Sequence, residues 1–237
     1  MKPYIYPSTI ETARALILHL VEMLENEPDR IFHIALSGGS TPALMFDLWA
    51  NEYKEITPWE RMYFYWVDER CVPPKNSDSN YGLMRLLMLN VAPIPYENVF
   101  RIMGENEPEQ EAIRYSKLVE EHVPQVNNWP RFDIVLLGAG TDGHTSSIFP
   151  GQEYLLTSKK TYERSYNPHN GQKRIALTGQ PIMNAERVIF LITGKSKADI
   201  VYEICSSGDT CPAAYVAHHA ENVELFMDDL AAGRLGR

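Results

Sequence analysis

The 237-residue chain has little cysteine, no long hydrophobic run and no excess of positive charge. Its three cysteines are an odd number and lack the spacing of a zinc or redox pair, so they indicate reduced thiols rather than a disulfide framework. No window approaches the roughly 20 apolar residues of a membrane span, and the N-terminus lacks the pattern of a signal peptide. We therefore expect a soluble, cytoplasmic protein that does not act at a membrane.

Positive charge is scarce, with 22 Lys and Arg against 31 Asp and Glu and a formal net charge of −9. No basic stripe runs along the chain, so the usual electrostatic signature of a nucleic-acid-binding protein is missing. Low-complexity tracts, fixed-period repeats and linkers rich in proline, glycine or serine are missing as well. With 44% hydrophobic residues, the composition predicts a single domain over residues 1–237 with a full core.

The sequence alternates between strand-like apolar runs and segments with helical periodicity, and a capping-box pattern at Ser8 and Glu11 opens the first helix. Strands are predicted at residues 31–36, 62–67, 98–102, 132–137, 174–178, 187–193 and 223–227. Helices are predicted at 9–26, 42–53, 78–90, 108–121, from 144 onward, at 196–205 and at 228–235, and residues 150–173 are predicted to form a loop. This alternation predicts an α/β fold of Rossmann type, with a mostly parallel sheet and helices on both faces.

Polar or glycine-rich sequence follows four of the predicted strands, at residues 37–41, 68–70, 138–144 and 194–195. In open α/β sheets, ligands bind at the carboxyl ends of the strands, where loops and helix N-termini meet. We therefore expect these four segments to form one site.

The first of these segments consists of Ser37, Gly38, Gly39, Ser40 and Thr41. Two glycines allow close approach of the backbone, two serines and a threonine supply hydroxyl groups, and the N-terminus of the following helix attracts an anion. The segment is therefore a candidate phosphate-binding loop. It lacks the lysine-containing pattern of nucleotide-binding loops, so ATP or GTP is not implied, and a plain strand-to-helix turn is the alternative.

Arg70 and Lys195 are cations at predicted strand ends of a strongly acidic protein. A guanidinium can donate two hydrogen bonds to a phosphate, and an ammonium acts as a compact point charge. An anionic ligand would explain both residues, and surface ion pairs are the alternative. Arg174 is a third candidate, which could equally be a solvated strand end.

His144 is the strongest catalytic candidate, because it lies in a glycine-rich loop directly after a buried-type strand. An imidazole can remove a proton from water near neutral pH, and Asp142 could orient the ring. Ser146 and Ser147 lack the elbow motif of serine hydrolases, and no further metal ligands follow at suitable spacing. Residues 138–143 match a dinucleotide-binding fingerprint only weakly. We expect neither a metal nor a cofactor.

The segments of the predicted site also carry a family resemblance. They are Ser37–Pro42, Asp68–Arg70 with Val72 and Pro73, Ser79–Asn80, Gly138–Gly151, Arg174–Thr178, Thr193–Lys195, Pro212–Ala214 and the closing Asp228–Ala232. Together they resemble the 6-phosphogluconolactonases of the glucosamine/galactosamine-6-phosphate isomerase superfamily, from about residue 31 to the C-terminus. The resemblance implies hydrolysis of 6-phospho-D-glucono-1,5-lactone in the oxidative pentose phosphate pathway, without a required cofactor. A small sugar phosphate is then the expected partner of a monomer or homodimer.

The resemblance also implies roles for individual residues. The implied substrate-binding set is Ser37, Gly38, Gly39, Ser40, Thr41, Asp68, Arg70, Asn80, Gly140, Arg174 and Lys195. The phosphate would bind the 37–41 loop and the cations, and Asp68 and Asn80 would contact sugar hydroxyls. His144, oriented by Asp142, would deprotonate the attacking water, with backbone amides of the 138–144 loop as candidate oxyanion donors.

Two other functions stay open from sequence. A glucosamine-6-phosphate deaminase shares the resemblance, but its loop typically continues Phe-Asn-Glu-Pro-Gly, whereas this chain has Ile148-Phe149-Pro150-Gly151. The deaminases also tend to have Tyr where this chain has Arg70. A non-catalytic sugar-phosphate sensor is the third possibility, which the presence of both Asp142 and His144 disfavours.

Overall fold

Eleven strands and three sheets are present in the computed structural model, which describes residues 1–236. In chain order the strands are β1 (Lys2–Tyr6), β2 (Phe32–Leu36), β3 (Met62–Trp66), β4 (Asp68–Arg70), β5 (Gln125–Val126), β6 (Trp129–Pro130), β7 (Ile134–Leu137), β8 (Tyr162–Tyr166), β9 (Lys173–Leu177), β10 (Arg187–Ile192) and β11 (Val223–Asp228). The main sheet has six parallel strands in the order β1-β11-β10-β7-β2-β3. β5 and β6 form a small hairpin.

Within residues 1–236, seven α-helices accompany the sheets. They are α1 (Thr9–Asn26), α2 (Ser40–Glu52), α3 (Asn80–Met84), α4 (Pro108–His122), α5 (Gly179–Met183), α6 (Ala198–Cys205) and α7 (Pro212–His219). A π-helical turn, Arg85–Leu89, follows α3, and 3₁₀ turns occur at Trp59–Arg61, Tyr96–Asn98, Glu153–Leu156 and Lys195–Lys197. None of the helices within residues 1–236 has the length and apolar character needed to cross a membrane.

The inner strands of the main sheet are buried, and most of their residues are apolar. Every residue of β2, β7 and β11 is buried, which is typical of parallel strands covered by helices on both faces. The predicted α/β fold with a mostly parallel sheet is confirmed. The predicted start of α1 is confirmed too, since the Ser8 hydroxyl accepts a hydrogen bond from the Glu11 backbone N–H at 3.3 Å.

A second sheet was not expected from the sequence. It is antiparallel, with the order β4-β9-β8, and β4 follows β3 after the single residue Val67. β8 lies inside the 150–173 segment that the sequence predicts as a loop, so that prediction is wrong. β8 pairs on one side only and carries Glu163 and Arg164 at its centre, which explains its weak strand signal. This sheet places Arg70 directly opposite Arg174.

Several other boundaries differ from the predicted ones. β1 was not predicted and pairs with β11 at the edge of the main sheet. Residues 98–102 contribute only an isolated bridge between Val99 and Phe64. No helix starts at His144, because Gly143 and Ser146 both have positive φ, which interrupts a right-handed helix. Residues 229–235 form turns rather than a helix.

Candidate active site

An open cleft of about 230 Å³ lies at the carboxyl ends of β2, β7 and β10, next to β4 and β9. The predicted site residues that line it are Ser37, Gly38, Gly39, Ser40, Thr41, Asp68, Arg70, Gly140, His144 and Arg174. Loops that are far apart in sequence therefore converge at this edge because the strands before them are parallel. Asn80, Asp142 and Lys195 do not line the cleft.

The loop after β2 leads into the N-terminus of α2 at the cleft. Gly39 has a φ of +112°, which favours glycine, and no side chain caps the helix there. The first backbone N–H groups of a helix carry partial positive charge and lack partners within the helix. Since Ser40 and Thr41 line the cleft, this end of the 13-residue helix can bind an anion.

Arg70 and Arg174 are directly opposite each other in the antiparallel β4–β9 pair. Like charges at opposed positions destabilise a sheet unless they are neutralised. The Arg174 Nη1 lies 3.6 Å from the Asp68 carboxylate, and the Arg70 Nη1 donates to the Asp78 carbonyl at 2.5 Å. The Nε atoms of both arginines are buried without a hydrogen-bond partner among residues 1–236. Burial lowers the pKa of Arg174, and Asp68 opposes that shift.

Asp68 is held on three sides at the end of β3 and the start of β4. Its carboxylate accepts hydrogen bonds from the Ser147 hydroxyl and from the Asn80 side-chain amide, the latter at 3.2 Å, and pairs with Arg174. Asn80 is 2% exposed and donates from its side-chain amide to Asp68, while its Oδ1 lies beside Gly38 without a hydrogen-bond partner among residues 1–236. In this structure Asn80 fixes Asp68, and its contact with a sugar hydroxyl stays a prediction.

The lysine at the cleft is Lys197, two residues after the predicted one. Lys195 is exposed at the start of the 3₁₀ turn, whereas Lys197 is half-buried and donates from Nζ to the Ala139 carbonyl at 2.7 Å. Burial lowers the pKa of Lys197, and the Asp142 carboxylate opposes that shift. Lys195 does not line the cleft, and the role expected of it stays a prediction. Sequence alone offers two lysines in one turn and no signal for which one faces inward.

The His144 imidazole is oriented by Asp142. The Nδ1 atom lies 2.6 Å from Asp142 Oδ1, and the His144 backbone N–H donates to the same oxygen at 3.2 Å. Burial opposes ionisation of Asp142, but the His144 ring and hydrogen bonds from His169 and His144 hold the pKa of Asp142 below its usual range. Because Nδ1 is engaged, Nε2 is the ring nitrogen left for a reacting group.

The backbone around this pair leaves no room for a side chain at Gly140. A Cβ there would lie 2.2 Å from His144 Nδ1 and 2.4 Å from Asp142 Oδ1. The Gly140 N–H donates to the His144 carbonyl at 2.8 Å, and the Gly143 N–H donates to the Gly140 carbonyl at 3.0 Å. The amides of Gly140, Gly143 and His144 are therefore already bonded and are not free oxyanion donors. Gly140 contributes space at the cleft rather than a donor.

Two residues that help to shape the site, Ser146 and Glu69, were not predicted as site residues from the sequence. Ser146 lines the cleft and donates to the Val67 and Leu177 carbonyls, so it links the main sheet to the second sheet. Glu69 is 1% exposed and accepts four hydrogen bonds, from the Ser79 hydroxyl and from the backbone of Arg70, Asn80 and Tyr81. Burial raises the pKa of Glu69, and these hydrogen bonds oppose that shift.

Residues 1–236 contain no cluster of three or more side chains suited to a metal ion.

Comparison with known proteins gives consistent matches. A family profile described as glucosamine-6-phosphate isomerases/6-phosphogluconolactonase matches residues 7–225. A 6-phosphogluconolactonase of Treponema pallidum is 38% identical over 222 residues, 93% of this chain and 89% of the relative. One from Haemophilus influenzae is 40% identical over 198 residues, 81% of this chain and 79% of the relative. The solved 6-phosphogluconolactonase of Trypanosoma brucei superposes with a TM-score of 0.88 at 29% identity, covering 99% of this chain and 98% of that one.

Proposed function

The chain belongs to the family of glucosamine-6-phosphate isomerases and 6-phosphogluconolactonases, and we propose that it hydrolyses 6-phospho-D-glucono-1,5-lactone to 6-phospho-D-gluconate. The family resemblance expected from the sequence is confirmed. One observation carries the proposed activity: the same cleft holds an imidazole oriented by a carboxylate and two opposed arginines beside a helix N-terminus. A lactone with a phosphate at its far end matches both halves of this cleft.

The phosphate end of the substrate binds at the second sheet and α2. The backbone N–H groups at Ser40 and Thr41 and the guanidiniums of Arg70 and Arg174 supply donors, and Lys197 adds a point charge. A phosphate dianion would relieve the repulsion between the two opposed arginines. Binding energy from this non-reacting end holds the lactone carbonyl near His144.

Hydrolysis proceeds through a water activated by His144. The Nε2 atom takes a proton as the water oxygen bonds to C1, and Asp142 stabilises the imidazolium that forms. The bond between C1 and the ring oxygen then breaks, and the imidazolium gives its proton to that oxygen. General base catalysis of this kind contributes about 10²–10⁴-fold. The carboxylic acid formed at C1 releases its proton to solvent, and the product is a carboxylate that carries the same phosphate.

The assay that tests this function measures lactone disappearance above the spontaneous rate, with the lactone generated in situ. The alternative deaminase would release ammonia from glucosamine 6-phosphate. We expect lactone hydrolysis and no ammonia, because the loop Ile148-Phe149-Pro150-Gly151 lacks the glutamate typical of the deaminases. Binding of 6-phosphogluconate without turnover of either substrate would point instead to a sugar-phosphate sensor.

Lys197 and Lys195 form a matched pair for testing the phosphate site. Lys197→Ala is expected to raise the KM for the lactone about tenfold, since it removes a charge-assisted contact from a half-buried position. Lys195→Ala is expected to change KM by less than about twofold, because exposed charges contribute little. Steady-state kinetics and calorimetric titration with 6-phosphogluconate measure both. If Lys195→Ala raised KM more than Lys197→Ala did, Lys195 would be the lysine that contacts the phosphate.

A further inference from the structure

A second histidine contacts the carboxylate that orients His144. The His169 Nε2 lies 3.1 Å from Asp142 Oδ2, while His144 Nδ1 lies 2.6 Å from Asp142 Oδ1. Within residues 1–236, these two imidazoles are the side chains that hydrogen-bond to this carboxylate. The Asp142 side chain is therefore held at both oxygens. His144, two residues away in sequence, holds Oδ1, and His169, 27 residues away, holds Oδ2.

The loop that carries His169 is itself closed by hydrogen bonds. Between β8 and β9, the Asn167 side chain accepts from the His169 backbone N–H at 2.9 Å, and the Gly171 N–H donates to the Asn167 carbonyl at 2.8 Å. The Gln172 amide then donates to the Asp78 carboxylate at 2.8 Å. The His169 ring is 69% exposed, yet its backbone is fixed relative to the cleft. These hydrogen bonds therefore hold the loop in the conformation that places His169 in contact with Asp142.

We propose that His169 is a positioning residue for the hydrolysis, acting through Asp142 on His144. This inference rests on the proposed function. A carboxylate bonded at one oxygen only can rotate about its Cβ–Cγ bond, and the imidazole that it orients follows that rotation. A donor on Oδ2 removes this freedom and keeps Oδ1 aligned with His144 Nδ1.

The same contact tunes the charge that His144 experiences. A hydrogen bond from His169 draws negative charge toward Asp142 Oδ2, which weakens the attraction of Asp142 for a protonated His144 ring. Loss of His169 therefore favours the protonated ring, and the acid limb of the pH–rate profile moves to higher pH.

Other charged or titratable groups around this pair come from several elements. Lys197 faces Asp142 from the turn after β10, and the Cys211 thiol group lies near Gly143 at the start of α7. Across the cleft lie Asp68, Arg70 and Arg174 of β4 and β9. All of these are unchanged by substitution at position 169, so they do not account for a shift caused there.

The variants that test this are His169→Ala and His169→Gln. We expect His169→Ala to lower kcat about three- to tenfold with KM changed by less than about twofold, and to move the acid limb to higher pH. The glutamine side chain can donate an N–H from the place of Nε2 and should restore kcat and the acid limb toward the wild type. His122→Ala, which removes an exposed imidazole on α4, is the matched control and should leave both unchanged.

A double-mutant cycle with Asp142→Asn identifies the path of the effect. If His169 acts through the Asp142 carboxylate, His169→Ala has no further effect on kcat in the Asp142→Asn background. An equal fall in both backgrounds, an unshifted acid limb in His169→Ala, or a failure of His169→Gln to restore kcat would overturn the proposal.

A measurement without substrate separates this inference from the proposed function. In protein labelled with ¹⁵N-histidine, NMR follows the titration of the His144 ring nitrogens with pH. The titration midpoint should rise in His169→Ala and return in His169→Gln. A wild type that shows this behaviour but hydrolyses no lactone would refute the proposed function and leave the link between the two imidazoles standing. An unchanged midpoint in an active enzyme would refute the link alone.

Discussion

His144→Ala is expected to hydrolyse the lactone at least ~10²-fold more slowly than the wild type, with little change in substrate affinity. The imidazole lines the cleft and can take a proton from water near neutral pH, and Asp142 holds its Nδ1 at 2.6 Å. Its loss removes stabilisation made only in the transition state, so kcat falls and KM does not. Turnover is measured with lactone generated in situ, after subtraction of the spontaneous rate.

The control for this variant is again His122→Ala, which should keep turnover within about twofold of the wild type because surface changes away from a site have small effects. Calorimetric titration of His144→Ala with 6-phosphogluconate should give an unchanged Kd, which shows that the phosphate site is intact. Near-normal turnover in His144→Ala would remove His144 from the mechanism and leave the cleft without an identified base.

Arg174→Ala is expected to weaken binding of phosphorylated ligands by about 30-fold or more, which corresponds to about 2 kcal/mol. The Arg174 side chain is 10% exposed, and its Nε finds no partner within the described part of the chain. Its removal also leaves the Asp68 carboxylate, 8% exposed, without the guanidinium that lies 3.6 Å from it. Both effects act on affinity, so KM rises more than kcat falls.

The contribution of Asp68 can be measured separately. Adding Asp68→Asn to the Arg174→Ala variant should recover part of the lost affinity, because it removes an unpaired negative charge from the phosphate site. Arg164→Ala is the matched control, since Arg164 is an exposed arginine on the neighbouring strand β8. Calorimetric titration with 6-phosphogluconate measures all three variants. Equal affinity of Arg174→Ala and wild type would mean that Arg174 neither binds the phosphate nor shields it from the Asp68 carboxylate.

The main sheet could be predicted because most of its strands have a strand-like pattern in their own sequence. β2, β7 and β10 are parallel strands with largely apolar sequences, and each is followed by polar or glycine-rich sequence. The second sheet could not be predicted in the same way. β8 is partly exposed and polar at its centre, and β4 has only three residues, so their pairing depends on contacts with β9 rather than on local pattern.

In the candidate site, too, contacts between sequence neighbours could be predicted, and contacts between distant segments could not. The Asp142–His144 pair lies within one glycine-rich loop, and a contact across two residues needs no distant element to form. The choice of Lys197 over Lys195 depends on how the 3₁₀ turn meets the loop after β7, where Lys197 reaches the Ala139 carbonyl. The contact of Asn80 with Asp68 also depends on the tertiary structure, because α3 directs the Asn80 side chain to that carboxylate.

Residue types and their spacing along the chain were enough to predict a parallel α/β sheet, a glycine-rich loop before α2 and a carboxylate beside a histidine after β7. These features arise from interactions between near neighbours and from burial of apolar runs. The pairing of Arg70 with Arg174 and the contact of His169 with Asp142 exist only after the strands adopt their register. Such contacts join segments that are distant in sequence. The sequence around each residue does not determine which of these side chains meet in the folded protein.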